Sequence, residues 1–141
     1  MSIRNDLKEF KKIVFFDDET GGSADTVKHS DTFDMAQSVG ETLFLLDYEK
    51  PGSGANYEVK IQGTDFPDKT GNFVDMHTFA DNVAADTRSR EEIYIDFNKK
   101  SEGAGRYVRA QLTCTGNTGT GVVNLICLAK GKYTSESFSS I

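Results

Sequence analysis

The stretch Arg106–Lys130, RYVRAQLTCTGNTGTGVVNLICLAK, constrains the fold more than any other part of the chain. In its first half Arg106, Val108, Ala110, Leu112 and Cys114 share one face, and Tyr107, Arg109, Gln111 and Thr113 share the other. Mostly apolar residues thus alternate with mostly polar ones, at the period of two that a half-buried strand requires. The second half, Val122–Lys130, is apolar on both faces: Val123, Leu125, Cys127 and Ala129 against Val122, Ile126 and Leu128. Such a strand is expected to be covered on both sides. Between the two, Thr115–Gly121 carries three glycines and an asparagine, residues that reach positive φ at little cost. The stretch is therefore expected to form a β-hairpin at the core of the fold.

Elsewhere short apolar stretches recur between turn signals. Lys11–Phe16 reads as a strand ending at Asp17-Asp18-Glu19, with residues 17–32 polar, and Thr32–Met35 as a short strand. Glu41–Tyr48 is a strong strand, apolar on both faces, and EKPGSGA at 49–55 is a turn. Asn56–Gln62 alternates, with Tyr57, Val59 and Ile61 inward and Glu58, Lys60 and Gln62 outward, and is expected to close a second hairpin with Glu41–Tyr48. Asn72–Met76 reads as a brief strand, and residues 77–90 as a helical turn or a long loop. Glu91–Phe97 alternates again, Ile93, Ile95 and Phe97 against Glu92, Tyr94 and Asp96. About eight short strands with no βαβ rhythm predict an all-β chain, an antiparallel β-sandwich or jelly-roll-like domain. The expected division is an N-terminal arm at 1–10, the β-sandwich domain at 11–131 and a Ser-rich tail at 132–141.

At 141 residues the chain is large enough to bury a core without staples. Its net charge of −6 and scattered basic residues argue against nucleic acid as the main partner. No apolar run approaches the ~20 residues that cross a bilayer, so no membrane partner is expected. The charged opening MSIRNDLKEFKK lacks the apolar stretch of a signal peptide, and synthesis and folding in a cytoplasm are expected. There are two cysteines. In a hairpin turning near residues 117–118, Cys114 faces residue 121 or 122, which leaves Cys127 roughly 17–20 Å away at strand rise. A disulfide needs Cα atoms within about 7 Å, so two free, buried thiols are expected.

Asp17-Asp18-Glu19 is the densest acidic group, but neighbours in a strand point to opposite faces, and the group reads as a solvated strand end. His29 and His77, the only histidines, lack metal-ligand spacing and read as surface-loop residues. Gly116–Gly121 lacks the Lys-Ser/Thr ending of a phosphate loop and leads into a strand. We assign no catalytic, cofactor-binding or metal-ligating residue from the sequence. Tyr48, Tyr57, Tyr94, Tyr107 and Tyr133 are the candidates for a sugar-stacking platform and read equally well as core or interface residues. Ile3, Leu7 and Phe10 form a stripe at helical spacing, too short to fold alone. They are the candidate assembly contacts, expected to dock on the domain or on a neighbour.

Three segments together resemble small structural proteins of tailed bacteriophages, often encoded beside the major capsid protein: SIRNDLK at 2–8, ETLFLLDYEKPGSGANYEVKIQGTDF at 41–66 and RYVRAQLTCTGNTGTGVVNLICLAKG at 106–131. The K-x-Q-x-S/T-D strand end of those proteins is similar to Lys60–Asp65, and their closing R-Y-V-R-x-x-L-T-x-T-G-x-T-G-x-G to Arg106–Gly121. Segment 9–40 departs from the pattern, being longer and more acidic. The resemblance implies a virion protein, a decoration or cement protein on the capsid exterior. The expected partner is then the major capsid protein; no cofactor is expected, and because oligomers are usually symmetric the expected state is a homo-oligomer, a trimer at a local three-fold. It carries over no binding residue. The alternatives are a head–tail or tail component and a carbohydrate-binding module displayed on the virion.

Overall fold

The computed structural model describes residues 10–36, 38–49, 52, 54–66, 72–79, 88–97 and 105–131. They form nine strands: β1 (Phe10–Gly22), β2 (Thr26–His29), β3 (Phe33–Asp34), β4 (Glu41–Glu49), β5 (Ala55–Thr64), β6 (Val74–Thr78), β7 (Arg88–Asp96), β8 (Tyr107–Gly116) and β9 (Gly119–Lys130). One sheet, A, has the order β1-β9-β4-β7. The other, B, has the order β2-β8-β5-β6, with β3 also paired to β8. Every pairing between these strands is antiparallel. No α-helix occurs among the described residues. The chain is the expected all-β sandwich.

Leaving aside the two-residue β3, the strands pair first with last and so inward: β1 with β9, β2 with β8, β4 with β7, β5 with β6. An antiparallel ribbon wound in this way is a jelly roll. Only the steps from β2 to β3 and from β5 to β6 stay within one sheet; every other step along the chain changes sheet. Both expected hairpins are overturned. β8 pairs with β5 in sheet B, from Ala55↔Gly116 to Thr64↔Tyr107. β9 lies in sheet A between β1 and β4. The strands β4 and β5 are likewise parted between sheets. The physical reason is that alternation fixes which face of a strand turns inward, and two strands from opposite sheets satisfy that as well as two from one.

The core follows the alternation. Val108, Ala110, Leu112 and Cys114 of β8 and Val123, Leu125, Cys127 and Ala129 of β9 are wholly buried. Both thiols are free and buried. Cys114 Sγ sits beside Gly119 at one end of the sandwich, and Cys127 lies eight residues farther along β9, about 26 Å away at strand rise, so the thiols are far apart without any hairpin register. Phenylalanines link the strands inside: Phe15 packs on Phe33 and Phe44, at 5.2 and 5.7 Å between ring centroids, and Phe44 on Phe97 at 6.1 Å. Tyr57 of sheet B reaches across to sheet A. Its hydroxyl accepts the Gly21 N–H and donates to the Gly121 carbonyl, both at 2.7 Å. Its ring occupies the space where a side chain at Gly21 or Gly119 would begin.

Three further expectations change. β1 does not end at Asp17 but runs to Gly22 through a register shift between Phe16 and Glu19. Asp18 takes φ 47° there, and its N–H donates to Asn124 Oδ1 at 2.8 Å. The polar stretch 17–32 contains β2 as well as the end of β1. His29 and His77 stand in β2 and β6, not in loops.

Candidate interaction surface

The two outer faces of the sandwich differ in chemistry. On sheet B the outward groups partner one another. Lys60 Nζ lies 2.9 Å from Asp75 Oδ2, Gln62 Nε2 donates to Asp75 Oδ1 at 2.9 Å, and Arg109 Nε donates to Gln62 Oε1 at 3.0 Å. The Arg109 guanidinium lies 3.7 Å from the centroid of the Phe73 ring. The Gln62 amide and the Lys60 ammonium hold the Asp75 carboxyl below its ordinary range. Partial burial lowers the Arg109 pKa from its usual value. This face is mostly polar and its charged groups partner one another, with the exposed Val27 on its β2 edge.

On sheet A the outward residues form rows set by the register. Lys12, Leu128, Leu43 and Tyr94 lie side by side across the four strands. The next row is Val14, Ile126, Leu45 and Glu92. Val14 is 40% exposed and Tyr94 59%, while Leu43, Leu45, Ile126 and Leu128 are half-buried by their neighbours in the sheet. Beyond them Asp47 faces Arg90 at 3.7 Å. A depression of about 470 Å³ lined by Leu45, Asp47, Arg90, Glu92, Asn124 and Ile126 indents this side. Within this chain β9, expected to be covered on both faces, is covered on its inner face. Its inner face packs on sheet B, and its outer face belongs to this apolar stripe.

Phe10, the last candidate assembly contact, is the first residue of β1, lies opposite Lys130 and is 38% exposed. It stands outward beside Lys12 and Val14, at the margin of the stripe. Ile3 and Leu7 lie outside the described residues. Sequence reasoning missed Val14, Leu43, Leu45, Ile126 and Leu128 as surface candidates. The signal was present in β4 and β9, whose outward positions are apolar as well as their inward ones.

The remaining candidates do not converge. Asp18 pairs with Asn124, whose Nδ2 donates to Asp18 Oδ1 at 3.1 Å, while Glu19 meets Lys28 at 3.0 Å. Lys28 Nζ also donates to the Thr20 carbonyl at 2.6 Å, tying β2 to β1 across the sandwich edge. No group of three or more His, Cys, Asp and Glu side chains among the described residues could hold a metal ion. Tyr48 and Tyr57 are core residues. Tyr94 faces out from sheet A and Tyr107 from sheet B, so they share no platform; Tyr133 lies outside the described residues.

No protein-family model matches the chain, and no curated protein matches it. Solved structures do. A chain of the T13 particle of infectious bursal disease virus superposes with a TM-score of 0.56 at 12% identity. What they share is the fold. The match covers 86% of this chain and 31% of the viral one, so this chain spans about a third of that protein's length. The VP2 subviral particle of the same virus gives a TM-score of 0.53 at 13% identity, covering 86% and 32%. A family 35 carbohydrate binding module from an environmental isolate aligns at a TM-score of 0.44 and 9% identity, covering 94% and 91%, too loose a likeness to carry an argument.

Proposed function

We propose that this chain is a non-enzymatic structural protein of a virion, a decoration or cement protein that binds the outside of a bacteriophage capsid and holds its shell subunits together. The observation that carries the reading is the jelly-roll winding, a fold it has in common with viral capsid proteins. The sequence resemblance to tailed-phage structural proteins narrows the setting. The apolar outward stripe of sheet A supports it in a second way, because a stripe of that kind is what a protein built to be covered presents. The major capsid protein is the proposed partner. Many identical contacts around a shell multiply a weak individual affinity.

The test is a reconstruction of particles assembled with and without the protein, alongside co-sedimentation of the purified protein with empty shells. Extra density on the outer shell lattice and saturable co-sedimentation support the reading. Density confined to the neck or tail replaces it with a head–tail or tail component. Absence from the particle, together with binding on a glycan array, replaces it with a carbohydrate-binding role.

A further inference from the structure

The stripe on sheet A carries charges of opposite sign along its two sides. On the β1 side stand Lys12, which is exposed, and, on the adjoining β9, Lys130, with Asp18 at the far end beside Asn124, level with Arg90 on the other side. On the β7 side stand Glu92, also exposed, and Asp96, which lies across from Glu41. Arg90 is the one basic residue there whose side chain is described, and it turns to Asp47. Between the two sides run the apolar rows.

We propose that this face packs against the same face of a second copy of the chain, about a two-fold axis parallel to the strands between β9 and β4. Such a rotation lays the β1 side of one copy over the β7 side of the other. Lys12 of each copy then reaches Tyr94 and Glu92 of its mate, and Ile126 of each meets Leu45 of the other. Val14 of the second copy comes over the end of the row occupied by Glu92, beside the 470 Å³ depression. A two-fold axis across the strands instead lays β1 over β1 and β7 over β7, which brings Lys12 toward the β1 side of its mate and Glu92 toward the β7 side, like charge near like. The charge pattern therefore selects one of the two pairings. A face of four strands about 4.8 Å apart and roughly 30 Å long offers on the order of 600 Å² to each partner. That is below the ~800 Å² per partner of a standard interface, so the pairing is expected to be weak and concentration-dependent.

The proposal builds on the assembly reading above but is tested on the free protein, with no shells present, so the two can fail separately. Sedimentation equilibrium of the full chain over a range of concentrations should give a monomer–dimer equilibrium. Lys12→Glu and Glu92→Lys, both at exposed positions, should each weaken it by about tenfold or more, and the double exchange should return it close to the original value. Circular dichroism confirms that each variant is folded. A chain that stays monomeric overturns the proposal, and so does a trimer, since a face meeting itself yields pairs. A dimer indifferent to the single changes, or unrescued by the double one, also overturns it. So does a dimer that forms only after residues 2–9 are deleted, which would make the chain's own N-terminal segment the occupant.

Discussion

The hydroxyl of Tyr57 holds one end of the sandwich together, because both backbone groups it satisfies belong to the opposite sheet. Tyr57→Phe leaves the ring in place and strands a buried N–H and a buried carbonyl, each costing about 1–3 kcal/mol. We expect a loss of at least about 2 kcal/mol by urea denaturation; an unchanged midpoint would show that the bridge is dispensable. The glycines nearby were legible as glycines but not for their reasons. In TGNTGTG only Gly116 takes a positive φ, 88°. Gly119 is needed for space, since a methyl group there would strike the Tyr57 ring and Cys114 Sγ. A requirement set by a side chain some sixty residues away leaves no local trace. Cys127 makes a second residue-scale prediction. Burial pushes its thiol from 9.0 up to about 12. A raised folded-state value means that stability is intact below about pH 9, where the unfolded thiol is also neutral, and falls as pH rises from 9 toward 12. Cys127→Ala should remove that part of the alkaline loss, measured as the difference in denaturation midpoint between pH 8 and pH 10.5. An identical alkaline loss in the variant would rule Cys127 out as its source.

At the scale of elements, the shortest strands depend on side-chain clamps. β3 has two residues and is tied to the start of β8 by Arg106, whose Nε and Nη2 donate to the two carboxylate oxygens of Asp34 at 2.7 and 2.6 Å. The Met35 N–H donates to the Arg106 carbonyl at 2.8 Å. Arg106 holds the Asp34 carboxyl below its ordinary 3.8. A lowered value means that the clamp's contribution is full above pH 3.8 and is lost as pH falls through the folded-state value. Asp34→Asn should speed amide exchange at Met35 while leaving β4 and β9 protected; equal protection at Met35 would show that the backbone bond suffices. Such clamps explain which elements could be read in advance. β4, β5, β7 and β8 bury alternate apolar side chains, and the period of two exposed them. The strand β2, TVKH, turns Lys28 toward the sandwich edge and the exposed Val27 outward, so its pattern is inverted. The end of β1 was hidden by Asp17 and Asp18 at a register shift, where charged residues sit outside the ladder's alternation.

For the whole molecule, the layers were readable and the path between them was not. Periodicity says which side chains turn inward. Which sheet a strand joins depends on partners far along the chain, such as Phe10 and Lys130. The candidate surface was legible in part for the same reason: β4 and β9 each looked doubly apolar, but only the register aligns Leu43 with Leu128 and Leu45 with Ile126. The arm makes the prediction at this scale. Phe10 already belongs to β1, so the deletion that isolates the arm is residues 2–9. The truncated chain should keep the melting temperature of the full one and bind shells more weakly, each buried Ile or Leu contributing about 1.5–3 kcal/mol. A much lower melting temperature, or undiminished binding, would remove the arm from the assembly role.

The position of β9 bears on how the protein is made. The last strand of the roll is not an edge but the second strand of sheet A, between β1 and β4. A ribosome delivers it after all the others. Until Lys130 has emerged, β1 and β4 have no shared neighbour, and the nascent chain carries unmated strand borders rich in Phe and Leu. Sheet A can therefore close only once β9 has emerged, and until then the growing chain is a natural client for chaperones. A chain stopped after Asn117 should show no cooperative melting. The same arrangement acts as a completeness check, since a copy terminated before β9 cannot close its sandwich and so cannot present the finished outer face of sheet A.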